Sequence, residues 1–192
     1  QELSEFVDQI REDSLGNLFF TLDGDEKYPR VMLAAHMDEV AFLITHIEAK
    51  GFLRFHTLGG ITPHVMPGQR IRLKGHHGPI SAIIGTKPPH VMSDEDRKKL
   101  VPLDELFMDI GANSESEVKS KGIEIGTTGV FDVKFQDLGN GYLLGKAFDD
   151  RVGCAVIVQV VKNLHALNRQ VVAVGTVQEE VGLRGATVSG FN

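Results

Sequence analysis

The spacing of apolar positions changes along this chain and divides it into two kinds of structure. Leu3, Phe6, Val7 and Ile10 recur at helical spacing, which predicts a short amphipathic helix ended by Gly16. Asn17 to Leu22 reads as a strand before the turn Asp23-Gly24-Asp25. Val31 to Ala35 is apolar on both faces, the pattern of a central strand, and runs straight into His36. Val40 to Ile47 and Phe52 to Thr57 then read as strands joined at Lys50-Gly51. Gln69 to Leu73 and Pro79 to Gly85 form a second pair, joined at His76-His77-Gly78. Pro63, Pro67, Pro79, Pro88 and Pro89 fall in the same region, and short strands with such dense turn signals predict a small barrel or sandwich.

The pattern then returns to longer elements. Ser93 with Asp94-Glu95-Asp96 predicts the cap of a short helix through Leu100, and Ser114 with Glu117 matches a capping box. Asn140-Gly141 predicts a hairpin between Phe131 to Phe135 and Tyr142 to Leu144. Val152, Ala155, Val156, Val160 and Leu164 suit a helix running to about Leu167, and Val171 to Val177 reads as a buried strand. A helix followed by an apolar strand that ends in acids is α/β organisation. The expected division is therefore an α/β domain over residues 1–40 and 140–192, interrupted by a β-rich insert over 41–139.

Composition narrows the functional classes. The 192 residues are 42% hydrophobic, enough to build real cores in one or two domains. Twenty basic against twenty-six acidic side chains leave a net charge of −6 with no long basic run, which argues against a nucleic-acid partner. No apolar stretch is long enough to span a bilayer, so no membrane partner is expected. A single cysteine, Cys154, leaves no internal disulfide framework and fits a reducing cytosol, so a cytoplasmic location is expected. The chain opens at Gln1 without a methionine, so its true start is expected to lie upstream.

Candidate chemistry lies where the apolar runs end. His36-Met37-Asp38 follows one strand, Asp149-Asp150 precedes a helix, and Glu179-Glu180 follows another strand. Imidazole, aspartate and paired glutamates are the ligand types that hold two zinc-like ions close together. Asp38 can reach the second ring nitrogen of His36, one aspartate of the pair can bridge two cations, and one glutamate can bind metal while its neighbour handles a proton. Taken singly, each patch has an ordinary explanation: a structural His-x-Asp, a helix N-cap, a solvated acid pair. Taken together, three such patches in one domain would be costly to assemble without cations. His76-His77 reads as a surface turn, His46, His56 and His64 as packing or interface residues, and Cys154 as core packing.

These patches carry a family resemblance. The runs Ala35-His36-Met37-Asp38-Glu39-Val40, Ala147-Phe148-Asp149-Asp150-Arg151-Val152-Gly153-Cys154 and Gln178-Glu179-Glu180-Val181-Gly182-Leu183-Arg184-Gly185-Ala186 resemble the M42 metallo-aminopeptidases. That family comprises the tetrahedral and glutamyl aminopeptidases and proteins once labelled endoglucanase M. The segments Gly85-Thr86-Lys87-Pro88-Pro89-His90 and Phe107-Met108-Asp109-Ile110-Gly111-Ala112 are similar to its inserted domain. The resemblance implies a zinc-exopeptidase-like α/β/α domain interrupted by a small β-barrel-like insert that makes dimer contacts, with dimers building a hollow dodecamer. It implies two divalent ions per subunit, zinc foremost, with cobalt or manganese as alternatives. His36 would bind one ion and Glu180 the other, and Asp149 would bridge both with its carboxylate, the peptide from Asp149 to Asp150 being frequently cis. Asp38 would orient His36, and Glu179 would be the general base acting on the bridging water. Short peptides would lose single N-terminal residues, the metals polarising the peptide carbonyl and anchoring the free amino terminus.

The family centre uses one further aspartate and one further histidine, both downstream of the Gln-Glu-Glu segment, and nothing before Asn192 matches them. The expectation is an incomplete copy of a longer enzyme, clipped at both ends, that holds three of five ligands and is inactive alone. A metal-dependent deacylase or carboxypeptidase and a non-catalytic assembly fragment are the rival readings. A glycosidase would use two carboxylates without metal.

Overall fold

A computed structural model describes every residue except 1, 89, 91, 92, 94, 96–98, 165–167 and 192. It divides into two compact units, Gln1–Glu39 with Ala147–Asn192, and Val40–Lys146.

In the first unit, β1 (Gln9–Glu12), β2 (Leu18–Leu22) and β3 (Val31–His36) come first in sequence. The predicted opening helix is not formed: residues 2–6 make turns, and Ile10 lies in β1, paired antiparallel with Phe20. Four apolar positions are too few for a helix, which needs about 12–15 residues to stand alone, and the open edge of β2 offers this segment a backbone ladder instead. Gly16, expected to end that helix, instead sits in the β1–β2 turn.

The second unit follows. The strands β4 (Ala41–Ile47), β5 (Leu53–Leu58), β6 (Arg70–Gly75), β7 (Gly78–Gly85), β8 (Phe107–Asp109) and β9 (Thr128–Phe131), with helix α1 (Glu115–Ser120) before the last, make a closed barrel. Its order is β4-β5-β8-β7-β6-β9, antiparallel throughout. Closure leaves no free strand edge, and alternate side chains fill the inside. Phe42, Ile44, Leu53, Ile71, Leu73 and Met108 are fully buried there. The His76-His77 turn joins β6 to β7 at the surface, where His76 Nε2 meets an exposed Glu124 at 2.9 Å. His46, His56 and His64 are exposed, so none of them packs in the core.

Helix α1 carries the expected cap. Ser114 Oγ accepts from the Glu117 N–H at 3.2 Å, and Glu117 Oε2 accepts from the Asn113 N–H at 2.9 Å. Ser114→Ala should cost about 1 kcal/mol in denaturant unfolding, because the Glu117 N–H loses its acceptor at the helix start. The helix expected from Ser93 to Leu100 falls on residues that include undescribed ones.

A hairpin, β10 (Gln136–Gly139) and β11 (Tyr142–Leu144), closes this unit's sequence, with Asn140 and Gly141 both at positive φ. Its first strand is not the predicted Phe131 to Phe135. Phe131 pairs with Ile71 in the barrel, and the two-residue turn sets Gly139 opposite Tyr142.

The chain then completes the first unit with α2 (Phe148–Asn163), β12 (Val171–Thr176) and α3 (Arg184–Ser189). The sheet order is β1-β2-β12-β3. Strand β12 is antiparallel to β2 and parallel to β3, so β12 is internal, as is β2. Among the described residues β3 lies at the margin, with Met32 exposed, contrary to its expected central place. Ile157, Val158 and Val161 of α2 pack on Leu22, Val171 and Ala173. The predicted stripe Val152, Val156 and Val160 is on the helix but exposed. Residues 165–167, where the helix was expected to end, are not described. The result is a mixed α/β protein with a closed six-stranded barrel. Among the described residues no helix is long and apolar enough to cross a membrane.

Candidate metal centre

The parallel pairing of β12 with β3 sets Thr176 opposite His36, so two strand ends release their loops side by side. Carboxyl ends of parallel strands are where α/β sheets gather ligands. One loop carries Asp38, the other carries Glu179 and Glu180, and α2 begins beside them with Asp149 and Asp150.

The structure brings His36, Glu179 and Glu180 together: one ligand atom from each lies within 4.8 Å of the other two. Asp149 is outside that trio but approaches from the open side, its 92%-exposed side chain placing Oδ1 3.1 Å from His36 Nε2. Glu179 Oε2 stands 3.8 Å from the same nitrogen. The other ring nitrogen, Nδ1, donates to the Asp38 carbonyl at 3.1 Å, with the Asp38 carboxylate farther off at 3.6 Å. That carboxylate instead accepts from the backbone N–H groups of Glu179 and Glu180, each at 3.2 Å. Asp38 thus touches both loops at once.

This arrangement fits a cation. A carbonyl can only accept, so Nδ1 carries a proton in the neutral ring and Nε2 presents its lone pair to two carboxylates. Acceptors facing one another without a donor require a positive charge between them, a proton or a metal ion. Burial works to lower the His36 pKa, but the hydrogen bonds to Asp149 and Asp38 and the charges of Glu179 and Asp38 overcome it and raise the imidazole above its ordinary value. Burial foremost, then the charges of Glu179, Asp149 and Asp38, against the opposing pull of His36, raises the Glu180 carboxyl.

Both raised groups favour the protonated form in the folded state, so metal must displace a proton at His36 and needs Glu180 ionised. Zinc affinity should therefore weaken by about tenfold per pH unit once the pH falls below the raised His36 pKa. In the metal-free protein the His36 contribution to stability is present below 6.5 and lost as the pH rises through the raised value. Calorimetric zinc titrations across pH, with apo-protein melting curves alongside, check both signs.

The second aspartate of the pair does different work. Asp150 Oδ1 accepts from the Gly153 N–H at 3.0 Å, and Oδ2 accepts from the His36 N–H at 3.3 Å, tying the start of α2 to the end of β3. A Cβ at position 153 would sit 2.3 Å from that carboxylate, so any larger residue there must push the Asp150 side chain out of this place. The Asp149–Asp150 peptide is cis. Ala147 and Gln178, just ahead of the two acid pairs, are both left-handed at φ 58 and 56, a conformation non-glycine residues adopt at a cost. Cys154 donates to the His36 carbonyl at 3.2 Å, and burial raises its pKa, in keeping with a packing role. Pattern reading passed over Asn17, whose fully buried amide bonds Val177 and Gly185 on either side of the glutamate loop.

The family model described as M42 glutamyl aminopeptidase matches residues 16–192. The chain belongs to the M42 peptidase family. Membership implies use of a divalent metal, in keeping with the His36, Glu179 and Glu180 group. The lysyl aminopeptidase of Pyrococcus furiosus is 33% identical over 98% of this chain and 54% of its own length. The solved TET aminopeptidase from the marine sediment archaeon Thaumarchaeota archaeon SCGC AB-539-E09 is 38% identical over 97% of this chain and 54% of that one, with a TM-score of 0.91. The Pyrococcus horikoshii TET1 peptidase, described as able to assemble into a tetrahedron or a large octahedral shell, is 35% identical over 98% of this chain and 56% of that one, with a TM-score of 0.84. The first unit and the barrel thus share the zinc-exopeptidase-like M42 fold. The chain spans about half the length of the curated relatives it matches.

Proposed function

We propose that this chain supplies His36, Asp149 and Glu180 as ligands, and Glu179 as general base, to a dinuclear metal centre of an aminopeptidase acting on short peptides. The observation that carries the reading is the His36 ring, whose Nδ1–H is committed to Asp38 while Nε2 faces Asp149 and Glu179. Asp38 keeps the ring in this tautomer and, through the N–H groups of Glu179 and Glu180, fixes the glutamates against it. Zinc suits this mixed N/O ligand set, and cobalt and manganese suit it too. Bound there, such ions would supply Lewis acidity toward a peptide carbonyl and lower the pKa of water. Glu179 would take up the proton released and return it to the departing amine.

In this reading the unit of Gln1–Glu39 and Ala147–Asn192 is the catalytic domain and the unit of Val40–Lys146 the dimerisation domain. The tetrahedron and octahedral shell named for Pyrococcus horikoshii TET1 support an assembled state, here a dodecamer built from dimers, and a cytoplasmic location belongs to the same reading. The test is chelation of the protein that carries this chain: release of N-terminal residues from short peptides should cease and return with zinc. Turnover that survives full metal removal, or a glycosidase activity that does so, contradicts the reading.

A further inference from the structure

The glutamate loop is closed at its base by a buried side-chain amide from the turn that leads into a neighbouring strand. Asn17, the residue immediately before β2, is fully buried. Its Oδ1 accepts from the Val177 N–H at 3.0 Å, and its Nδ2 donates to the Gly185 carbonyl at 3.0 Å. The Gly185 N–H donates back to the Val177 carbonyl at 3.0 Å, which completes a ring of three partners. The second Nδ2 proton goes to Asp13 Oδ2 at 2.8 Å. Asp13 Oδ1 in turn accepts from the N–H groups of Leu15, Gly16 and Asn17, which holds the turn that presents the amide.

The residues between the two clamped ends include Glu179 and Glu180. Above the clamp the loop is crossed by Arg184 N–H to the Gln178 carbonyl at 3.2 Å and by Leu183 N–H to the Glu179 carbonyl at 2.9 Å. Both Gln178 and Leu183 are left-handed non-glycine residues, which persist only where surroundings over-determine them. The amide is the group that can do this. It must accept from one loop end and donate to the other, and a carboxylate lacks the donor while an aliphatic side chain lacks both. The approach also leaves no room at Gly185, where a Cβ would lie 2.2 Å from the Val177 carbonyl oxygen and 2.4 Å from Asn17 Oδ1.

We infer that Asn17 is a positioning residue that pins the base of the loop carrying Glu179 and Glu180 and so holds both carboxylates at His36. Its use for metal rests on the reading above; its hold on the loop does not.

The experiment is residue-resolved amide hydrogen exchange on the chain and on Asn17→Ala, with zinc titration alongside. Leu22→Ala, a core truncation at the far end of β2 from Asn17, is the comparator for plain loss of stability. Asn17→Ala should speed exchange of the Gly182, Leu183 and Gly185 amides by about tenfold or more over the internal β12 amides, as expected for buried partners left unpaired. It should weaken zinc by about 10- to 100-fold, the usual cost of losing a group that orients ligands. Leu22→Ala should speed loop and β12 amides alike. Asn17→Ser, which keeps a small uncharged polar group but cannot bridge both loop ends, gives the same reading should the alanine variant not fold. Loop exchange in the Asn17 variants that tracks β12, as in Leu22→Ala, overturns the inference. Selective loop exchange with no zinc uptake by the unsubstituted chain upholds the clamp and contradicts the metal reading instead.

Discussion

Glu179→Gln in the protein that carries this chain should lower peptidase turnover by about 10²- to 10⁴-fold, the usual contribution of a positioned general base. Glutamine preserves the shape of the side chain and the backbone N–H that Asp38 accepts at 3.2 Å, so the loop stays in place. What it loses is the ability to take a proton beside His36 Nε2, from which Glu179 Oε2 is now 3.8 Å away. Zinc affinity should fall much less in Glu179→Gln than in Glu180→Gln, since only Glu180 is assigned to hold metal. Steady-state turnover of a short peptide together with zinc calorimetry on both variants separates the two roles. Equal turnover in Glu179→Gln and the unsubstituted protein removes Glu179 as the base.

Phe42→Ala should be the most destabilising single substitution in the barrel, by about 3–5 kcal/mol. The ring is fully buried and meets Phe55 edge-on at 5.5 Å and Phe131 edge-on at 5.1 Å. Truncation loses the transfer energy of the ring and both aromatic contacts and leaves a cavity that a closed barrel cannot collapse to fill. Denaturant unfolding followed by a signal from the barrel measures it, and Phe42→Leu should recover part of the loss. A cost below about 1 kcal/mol would mean that the barrel repacks around the gap.

The barrel and the ligand-bearing strand ends were legible because both are local signals. Alternating residues with dense turns announced β4 to β7, and apolar runs ending in His36 and Glu179 marked the ends of β3 and β12. What could not be read depends on distant pairing. The central or marginal place of β3 is decided by β12, which joins Val171 to Val31 and to Leu22 from far along the chain. The opening segment has helical spacing, but the edge of β2 captured it as β1. Helix α2 is apolar on two sides, so its period gave the helix and not the buried face, which belongs to Val161 while Val156 is exposed. Asn17 was invisible for the same reason, its partners Val177 and Gly185 lying 160 and 168 residues away. The different duties of Asp149 and Asp150 likewise emerge only where β3 and α2 meet, one facing the His36 ring and the other its backbone N–H.

The most direct test of the central claim is calorimetric titration of zinc into the 192-residue chain and into His36→Ala at neutral pH. The account predicts that the chain takes up zinc with release of protons, and that His36→Ala weakens this uptake by about 100-fold or more. Equal zinc affinity in the two proteins, or no uptake by either, would contradict it.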